Sequence, residues 1–291
     1  MVMFFLRKNY WIFLFLLLTA CKKDPVLIEG NLAPPDPTIE TAVLENYINK
    51  LYISMLGREP SSSEFDSAKN ILGDQATSQS RNQLIDVVHN NEEYYDNLFD
   101  IYRNDYLNGS DTTDLREQYI EVYSTLIENE TNSFLLEIYE QEHERLLNLY
   151  KVGEELKNGK INTIQAQKRC VDNLVYDDIN MGTENYVISV FQHFLHRYPT
   201  QDELARATLM VDGDQANCFG ENGDSKSDFN TLFFDHYGYY EGVVVDAYLK
   251  LLFREPTSAE ASALSIQFRN NQDYKSLQKE LLSSDEFLGI Q

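Results

Sequence analysis

The chain has few basic residues, and this shortage excludes one class of partner. Its 291 residues include 24 Lys and Arg against 47 Asp and Glu, which gives a formal net charge of −23. Such a charge repels the phosphates of nucleic acids and the surfaces of anionic membranes. We therefore exclude nucleic acid as a partner, whereas positively charged proteins would be tolerated. Apolar residues make up 43% of the chain, which is enough to build a folded core.

Cysteine is also scarce, with only Cys21, Cys170 and Cys218 in the sequence. A Cys-x-x-Cys-His pattern does not occur, so the sequence predicts no c-type haem. In an envelope compartment Cys170 and Cys218 could form a disulfide, and they could equally be buried free thiols. The sequence alone leaves these two alternatives open.

Signatures of an enzyme are missing as well. The histidines lack His-Glu-x-x-His and every other metal-binding spacing, and we interpret each as a surface residue: His89, His143, His193, His196 and His236. Serines 61 to 63 lack a Gly-x-Ser-x-Gly context. We therefore expect no enzyme activity and no cofactor. The alternative is a hydrolase of envelope polymers that uses the clustered carboxylates Glu92, Glu93 and Asp96.

One loop, from Asp212 to Asp224, is rich in oxygen atoms and glycine. It does not fit the calcium loop of an EF-hand, because Ala216 offers no oxygen ligand and Asn217 stands where that loop needs glycine. We interpret the segment as a solvated loop, and calcium held by Asp212, Asp214 and Asp224 is the alternative.

The N-terminal segment predicts export. Arg7 and Lys8 precede an apolar run at residues 10–18, which has the length of a signal-peptide core and is too short to cross a bilayer. The run ends in Leu-Thr-Ala-Cys, which resembles the lipobox of bacterial lipoproteins. This resemblance implies a signal peptide at residues 1–20 and an acylated Cys21 that anchors the protein in a membrane. An ordinary signal peptide is the alternative.

The residues after Cys21 suggest an address and a spacer. The opening Cys-Lys-Lys-Asp is similar to lipoproteins of the Bacteroidota, which implies the outer membrane, at its periplasmic face or the cell surface. Residues 21–40 contain Pro25, Pro34, Pro35 and Pro37, a composition that favours an extended spacer.

Two short segments are similar to the Asp-Ser/Thr-x acceptor pattern for O-glycosylation in Bacteroidota. They place the candidate acceptors at Ser67 and at Thr112. We interpret Thr112 as a loop residue and therefore as the more accessible of the two.

A nine-residue motif occurs three times. "LGREPSSSE" at residues 56–64 has counterparts at 195–203 and 252–260, and an apolar helical pattern precedes each copy. The copies share an arginine, a proline and a hydroxyl-x-x-Glu element: Arg58, Pro60, Ser61 and Glu64; Arg197, Pro199, Thr200 and Glu203; Arg254, Pro256, Thr257 and Glu260.

This motif predicts a helix, a tight turn and a capped second helix. Hydroxyl-x-x-Glu is a capping box, and the proline before it ends the preceding helix. The arginine lies near the carbonyl end of that helix, where it can bond exposed carbonyl groups. Recurrence in three places favours a structural role over a catalytic one.

Each copy is followed by a tail that predicts a helix end, a turn and a new helix, at residues 84–94, 229–239 and 277–287. The chain is thus expected to contain three related helical units, at 41–95 (unit one), 183–241 (unit two) and 242–291 (unit three). We expect units two and three to pack together. Between them and unit one, residues 96–182 predict a long antiparallel helical hairpin, with a further helix at about 163–178.

The repeated motif resembles an all-helical repeat domain of unknown function in secreted and surface bacterial proteins, itself reminiscent of phycobilisome linker domains. The resemblance implies an all-α fold and supplies no catalytic residues. Residues 197–204 also look like helical segments beside cytochrome modules. We interpret the chain as a scaffold or binding subunit of an envelope complex for secretion, gliding motility or nutrient uptake. An accessory role in a redox system is a further alternative to the hydrolase.

Overall fold

The computed structural model describes residues 39–128 and 133–290. The predicted signal peptide, Cys21 and the proline-rich spacer up to residue 38 lie outside the described residues. Within the described ranges, sixteen helices and one two-stranded sheet are present, so the predicted all-α class is confirmed. None of these helices is long and apolar enough to span a bilayer.

Unit one begins with a helix that ends at a glycine. Its helices are α1 (Thr41–Leu56), α2 (Ser62–Leu72), α3 (Ser78–His89) and α4 (Glu93–Tyr106). Helix α1 buries Tyr47, Leu51 and Met55, which recur at helical spacing on one face. Gly57 then takes a φ of 70°, a left-handed conformation in which a side chain is strained. A Cβ there would also lie 2.5 Å from Oδ1 of Asn97, so glycine suits this turn, although the other two copies have His196 and Phe253 in the same left-handed conformation.

The segment after unit one contains a shorter hairpin than the sequence predicts. Its helices are α5 (Thr112–Glu128), α6 (Ser133–Tyr150), α7 (Val152–Lys157), α8 (Thr163–Val171) and α9 (Leu174–Ile179). Only α5 and α6 form the hairpin, because α4 continues to Tyr106 and packs on α1. The single helix predicted at 163–178 is two helices. Asn173 separates them with extended backbone, and its Oδ1 accepts a 3.0 Å hydrogen bond from Tyr176 N, which caps α9.

The last third of the chain has seven helices and the sheet. They are α10 (Thr183–Leu195), α11 (Gln201–Val211), β1 (Ala216–Cys218), β2 (Glu221–Gly223), α12 (Lys226–Asp235), α13 (Tyr237–Leu252), α14 (Ser258–Asn271), α15 (Tyr274–Leu282) and α16 (Asp285–Leu288). The two strands are antiparallel, with Ala216 opposite Gly223. Phe219 and Gly220 form the two-residue turn with positive φ, as hairpins favour. The segment interpreted as a solvated loop is therefore mostly a β-hairpin.

Units two and three meet where α10 crosses α13. A Cβ on Gly242 would lie only 1.7 Å from the backbone oxygen of Phe194, so the two helices approach closely at this glycine. Phe194 is buried there against Phe234 and Tyr239. The contact shows that the two units pack on each other.

Units one and three also meet, which the sequence did not predict. The hydroxyl of Tyr47 in α1 donates to the carbonyl of Leu282, 3.1 Å away, and the hydroxyl of Tyr94 donates to Gln278, 2.7 Å away. Helices α15 and α16 lie against α3 and α1. The two ends of the described chain thus share one continuous apolar core.

Candidate functional site

The three copies of the motif form three similar arginine clamps, each an arginine bound to the glutamate of its own capping box. In unit one, Nη1 and Nη2 of Arg58 donate to the two carboxylate oxygens of Glu64, both at 2.9 Å. Glu64 in turn accepts a 2.7 Å hydrogen bond from Ser61 N, and Ser61 Oγ accepts from Glu64 N. The same bidentate pair joins Arg197 to Glu203 and Arg254 to Glu260.

Two of the clamps hold a second carboxylate from the start of a later helix. Nε of Arg58 lies 2.5 Å from Glu93 of α4, and Nε of Arg254 lies 2.6 Å from Glu286 of α16. The second amino group of each arginine also donates to the same carboxylate. Each of these guanidinium groups therefore ties together the end of one helix and the starts of two others.

Charge-assisted hydrogen bonds change the acidity of the clamp glutamates. The arginine donors hold the pKa of Glu64 and Glu260 at about 2, although partial burial opposes that shift. The pKa of each partner arginine is raised by the same hydrogen bonds. Both glutamates therefore stay ionised down to strongly acidic pH.

The arginines act differently from the prediction that they bond carbonyls at the end of the preceding helix. Nη1 of Arg58 does reach a carbonyl, but it is that of the next residue, Glu59, at 3.0 Å. The main partners are carboxylates, because the turn places the capping-box glutamate under the planar guanidinium.

The clamp of unit two holds only one carboxylate. Among the described residues, Nε of Arg197 has no hydrogen-bond partner, and Glu203 is the only acidic side chain paired with the guanidinium. The side chain of Arg197 is 43% exposed, against 36% for Arg58 and 35% for Arg254. Gly238 stands in the tail where the other two units have Glu93 and Glu286, so a glutamate is missing at this place.

A cavity of about 340 Å³ adjoins this incomplete clamp. Its wall includes Phe191, Phe219 and His236 as well as Glu203. The guanidinium of Arg197 lies over the ring of Phe191, 5.1 Å from its centroid. The ring of His236 stacks on Phe219 with centroids 4.5 Å apart. Phe191 and Glu203, which both contact Arg197, thus form part of a small cavity with aromatic walls, and the arginine in that wall is Arg206.

The hairpin of α5 and α6 carries an exposed apolar stripe. Ile120, Tyr123 and Ile127 are 45%, 46% and 52% exposed, and their spacing places them along one side of α5. The adjacent face of α5 packs on α6 through the buried Leu115 and Val122. A row of apolar side chains that stays exposed to solvent at helical spacing marks a candidate docking site.

Acidic residues surround the stripe. On α5 and α6 the acidic side chains outnumber the basic ones: Asp114, Glu117, Glu121, Glu128, Glu137, Glu140, Glu142 and Glu144 against Arg116 and Arg145. Glu117, Glu121 and Glu128 are exposed and lie in the next helical row beside the stripe. The ring of Tyr123 lies 5.1 Å from that of His143, so α6 borders the stripe on its other side.

The interpretation of all five histidines as surface residues is wrong. His89 is buried and packs edge-on against Tyr94, and burial lowers its pKa to about 4. His143, His193 and His236 are partly buried, and of the five only His196 is exposed. Ring contacts with other helices and turns help to bury these side chains, and the spacing of the histidines in the sequence carries no signal of those contacts.

The two described cysteines are free thiols. Both Cys170 and Cys218 are buried, and burial raises the pKa of each. Of the two alternatives that the sequence left open, the structure has the buried thiols.

The candidate calcium residues lie at the two ends of the β-hairpin. Asp212 follows α11 and accepts a hydrogen bond from Thr183, and Asp224 N donates to Asp228. Asp214 lies in the link before β1. Across residues 39–128 and 133–290, no group of three or more His, Cys, Asp and Glu side chains is placed to hold a metal ion.

The clustered carboxylates at the start of α4 are exposed and mostly paired. Glu93 binds Arg58, and Glu92 accepts a 2.6 Å hydrogen bond from Lys157. Neither these two nor Asp96 lines the cavity beside Arg197.

The two candidate acceptor residues for glycosylation are both exposed. Ser67 lies within α2, and Thr112 is the first residue of α5 instead of a loop residue. The carboxylate of Asp111 accepts from the backbone of the first turn and so starts that helix.

The sequence did not predict three features. They are the exposed stripe on α5, the second carboxylates Glu93 and Glu286, and the absence of a corresponding glutamate at Gly238. The tails contained a signal for the carboxylates, because units one and three share an acidic residue at one position where unit two has glycine. In comparisons with known proteins, no family model, no curated protein and no solved structure matched the chain.

Proposed function

We propose that this chain is a lipid-anchored scaffold of the bacterial outer membrane that binds a partner protein through the α5–α6 hairpin. The partner contributes a basic amphipathic helix, and the assembly belongs to a surface complex of the kind used in secretion, gliding motility or nutrient uptake. The exposed stripe of Ile120, Tyr123 and Ile127 is the observation that carries the proposal.

The stripe fits an amphipathic helix in size and spacing. Its three side chains span two helical turns of α5, about 10 Å, and present apolar surface that water solvates poorly. A helix laid alongside would anchor its own apolar residues at the same repeat, the usual mode of helix-in-groove recognition.

Charge around the stripe selects the partner. Glu117, Glu121 and Glu128 beside the stripe on α5, and Glu140 and Glu144 on the partner helix α6, are exposed. Lys and Arg on the flanks of the incoming helix would meet these carboxylates, which speeds encounter and fixes orientation. A basic partner also agrees with the net charge of the whole chain.

The rest of the fold supports a scaffold role by holding the hairpin on a rigid base. The capping boxes and clamps fix the turns of the three units, and the core continues from α1 to α16. Helices α8 and α9 pack against α6 and connect the hairpin to that core. Such a base would hold a bound partner in one orientation on the folded part of the chain.

The test compares two triple variants of the full chain. In the stripe variant Ile120, Tyr123 and Ile127 become serine; in the control, Ile53, Val87 and Ile266, which are similarly exposed on other helices, become serine. Each protein is purified by affinity tag from gently solubilised membranes.

We expect wild type and control to retain a stoichiometric partner with a basic helix, and the stripe variant to lose at least nine-tenths of it. Recovery of the wild-type protein alone, or equal partner recovery by the stripe variant, would contradict the proposal.

The anchor is tested separately. Cys21→Ala should move the protein from the membrane pellet to the soluble fraction, whereas Cys170→Ala should leave it membrane-bound. A Cys21→Ala protein that still sediments with membranes would show that acylation is not the anchor.

A further inference from the structure

The three clamps share one geometry but differ in one partner. In units one and three, Nε and the second amino group of the arginine bind a carboxylate from the next helix start, Glu93 or Glu286. In unit two the guanidinium of Arg197 uses both Nη1 hydrogens and one Nη2 hydrogen on Glu203 and Tyr198. One fork of two donors, Nε and the remaining Nη2 hydrogen, is thus left open among the described residues.

The surroundings of that fork match those of the filled clamps. The ring of Phe191 supports Arg197 as Tyr248 supports Arg254, with 5.1 and 5.0 Å between guanidinium and centroid. His236 caps α13 by accepting from Gly238 N at 3.1 Å, as Asn91 accepts from Glu93 N at 3.0 Å. Units one and two thus share this backbone contact, and Gly238 has no carboxylate to offer the arginine.

We propose that Arg197 binds a carboxylate group of a ligand in the place that Glu93 and Glu286 occupy in the other two clamps. A carboxylate matches the open fork because two parallel N–H donors bind its two oxygens together. This binding site is independent of the stripe on α5.

The adjoining cavity specifies what the carboxylate is attached to. Its volume of about 340 Å³ is at the lower end of small-molecule sites. Phe191 and Phe219 give it aromatic walls, so the ligand carries an apolar or aromatic group beside its carboxylate. The nitrogen Nδ1 of His236 accepts from Gly238 N, so the neutral ring has its proton on Nε2 and offers the ligand one more donor.

The acidic residues of the cavity wall do not oppose an anion. Asp202 is paired with Arg206 at 2.9 Å, and Glu203 is paired with Arg197. With the ligand bound, Arg197 would hold two carboxylates, the same number that Arg58 and Arg254 already hold.

The experiment introduces a glutamate of the chain itself beside the two free donors of Arg197. Gly238→Glu restores the glutamate of units one and three, and Gly238→Ala adds only a Cβ that cannot reach the fork. Gly238 has no positive φ, and a Cβ there would lie 3.0 Å from Nδ1 of His236, a side chain that needs to shift by only a few tenths of an ångström, so both variants should fold. Circular dichroism and thermal melting check this.

Three probes are titrated into the full chain in mild detergent by calorimetry: acetate, phenylacetate and a blocked tripeptide with a central Glu between two Phe residues. We expect wild type and Gly238→Ala to bind phenylacetate or the peptide at least tenfold more tightly than acetate. Gly238→Glu should bind them at least tenfold more weakly than wild type and melt at a higher temperature.

The probes also separate the two sources of a carboxylate. Binding of phenylacetate points to a free organic acid, and binding of the peptide alone points to an acidic segment of a protein. The inference is overturned if no probe binds saturably to the wild-type protein. It is equally overturned if Gly238→Glu binds as well as wild type, or if Gly238→Ala also loses binding.

Discussion

Replacing Gly242 by alanine is expected to destabilise the fold strongly, although alanine is the better helix former. The new Cβ would lie 1.7 Å from the oxygen of Phe194, where a carbon–oxygen contact needs about 3.3 Å. Because the clash is with backbone, α10 and α13 would have to separate by about 1.5 Å. Overpacking lowers the free energy of unfolding by up to about 3 kcal/mol, and the better helix propensity of alanine raises it by about 1 kcal/mol.

The net expectation is a loss of up to about 2 kcal/mol in the free energy of unfolding, or a melting temperature lower by up to about 4–8 °C. Urea titration followed by helical circular dichroism measures the first, and a thermal melt the second. Gly238→Ala in the same helix is the control. Its Cβ meets only the side chains of His236 and Leu195, so the change should stay within about 0.5 kcal/mol. Equal stability of Gly242→Ala and wild type would refute the close approach of the two helices.

Three further effects on stability follow. Burial holds the pKa of His89 at about 4, below its usual 6.5. As the pH falls, the unfolded chain therefore takes up a proton before the folded chain does, and the free energy of unfolding should fall by about 2 kcal/mol from pH 7 to pH 5. Urea titrations of His89→Leu should show that this pH dependence is removed. The arginines hold the pKa of Glu64, Glu203 and Glu260 at about 2, below 4.5, so the stability that each pair contributes is present above pH 4.5 and lost as pH falls towards 2. Solvent screening limits this to about 1 kcal/mol each, and the triple Glu→Gln variant should lose stability less steeply in acid. Phe253→Gly should stabilise by about 0.5–1 kcal/mol, because Phe253 has a φ of 56° and is 78% exposed; an unchanged urea midpoint would contradict the strain.

Local signals in the sequence identified the helix boundaries at the repeats. A capping box needs only residues three positions apart, so Ser61 and Glu64 could be recognised without knowledge of the fold. The apolar spacing of α1 and the break after α7 are equally local. The break at Asn173 was missed because the surrounding apolar spacing resembles that of one continuous helix, and a single capping residue interrupts it.

Contacts between distant parts of the chain could not be predicted. Nothing in the sequence near Tyr47 indicates a hydrogen bond to Leu282, 235 residues away, and nothing near His89 indicates its burial. The second carboxylates could be predicted in part, although Glu93 and Glu286 are 35 and 32 residues from their arginines. Aligning the repeat tails shows a glutamate at this position in units one and three and Gly238 in unit two.

The most direct test of the scaffold proposal is site-specific photocrosslinking in living cells. A benzophenone amino acid replaces Tyr123 in the stripe, and in a second strain it replaces Ile266, a similarly exposed residue of α14. The proposal predicts one discrete adduct at position 123, mapping to a basic helix of a single envelope protein, and no such adduct at position 266. The absence of an adduct at position 123, or the same adducts at both positions, would contradict it.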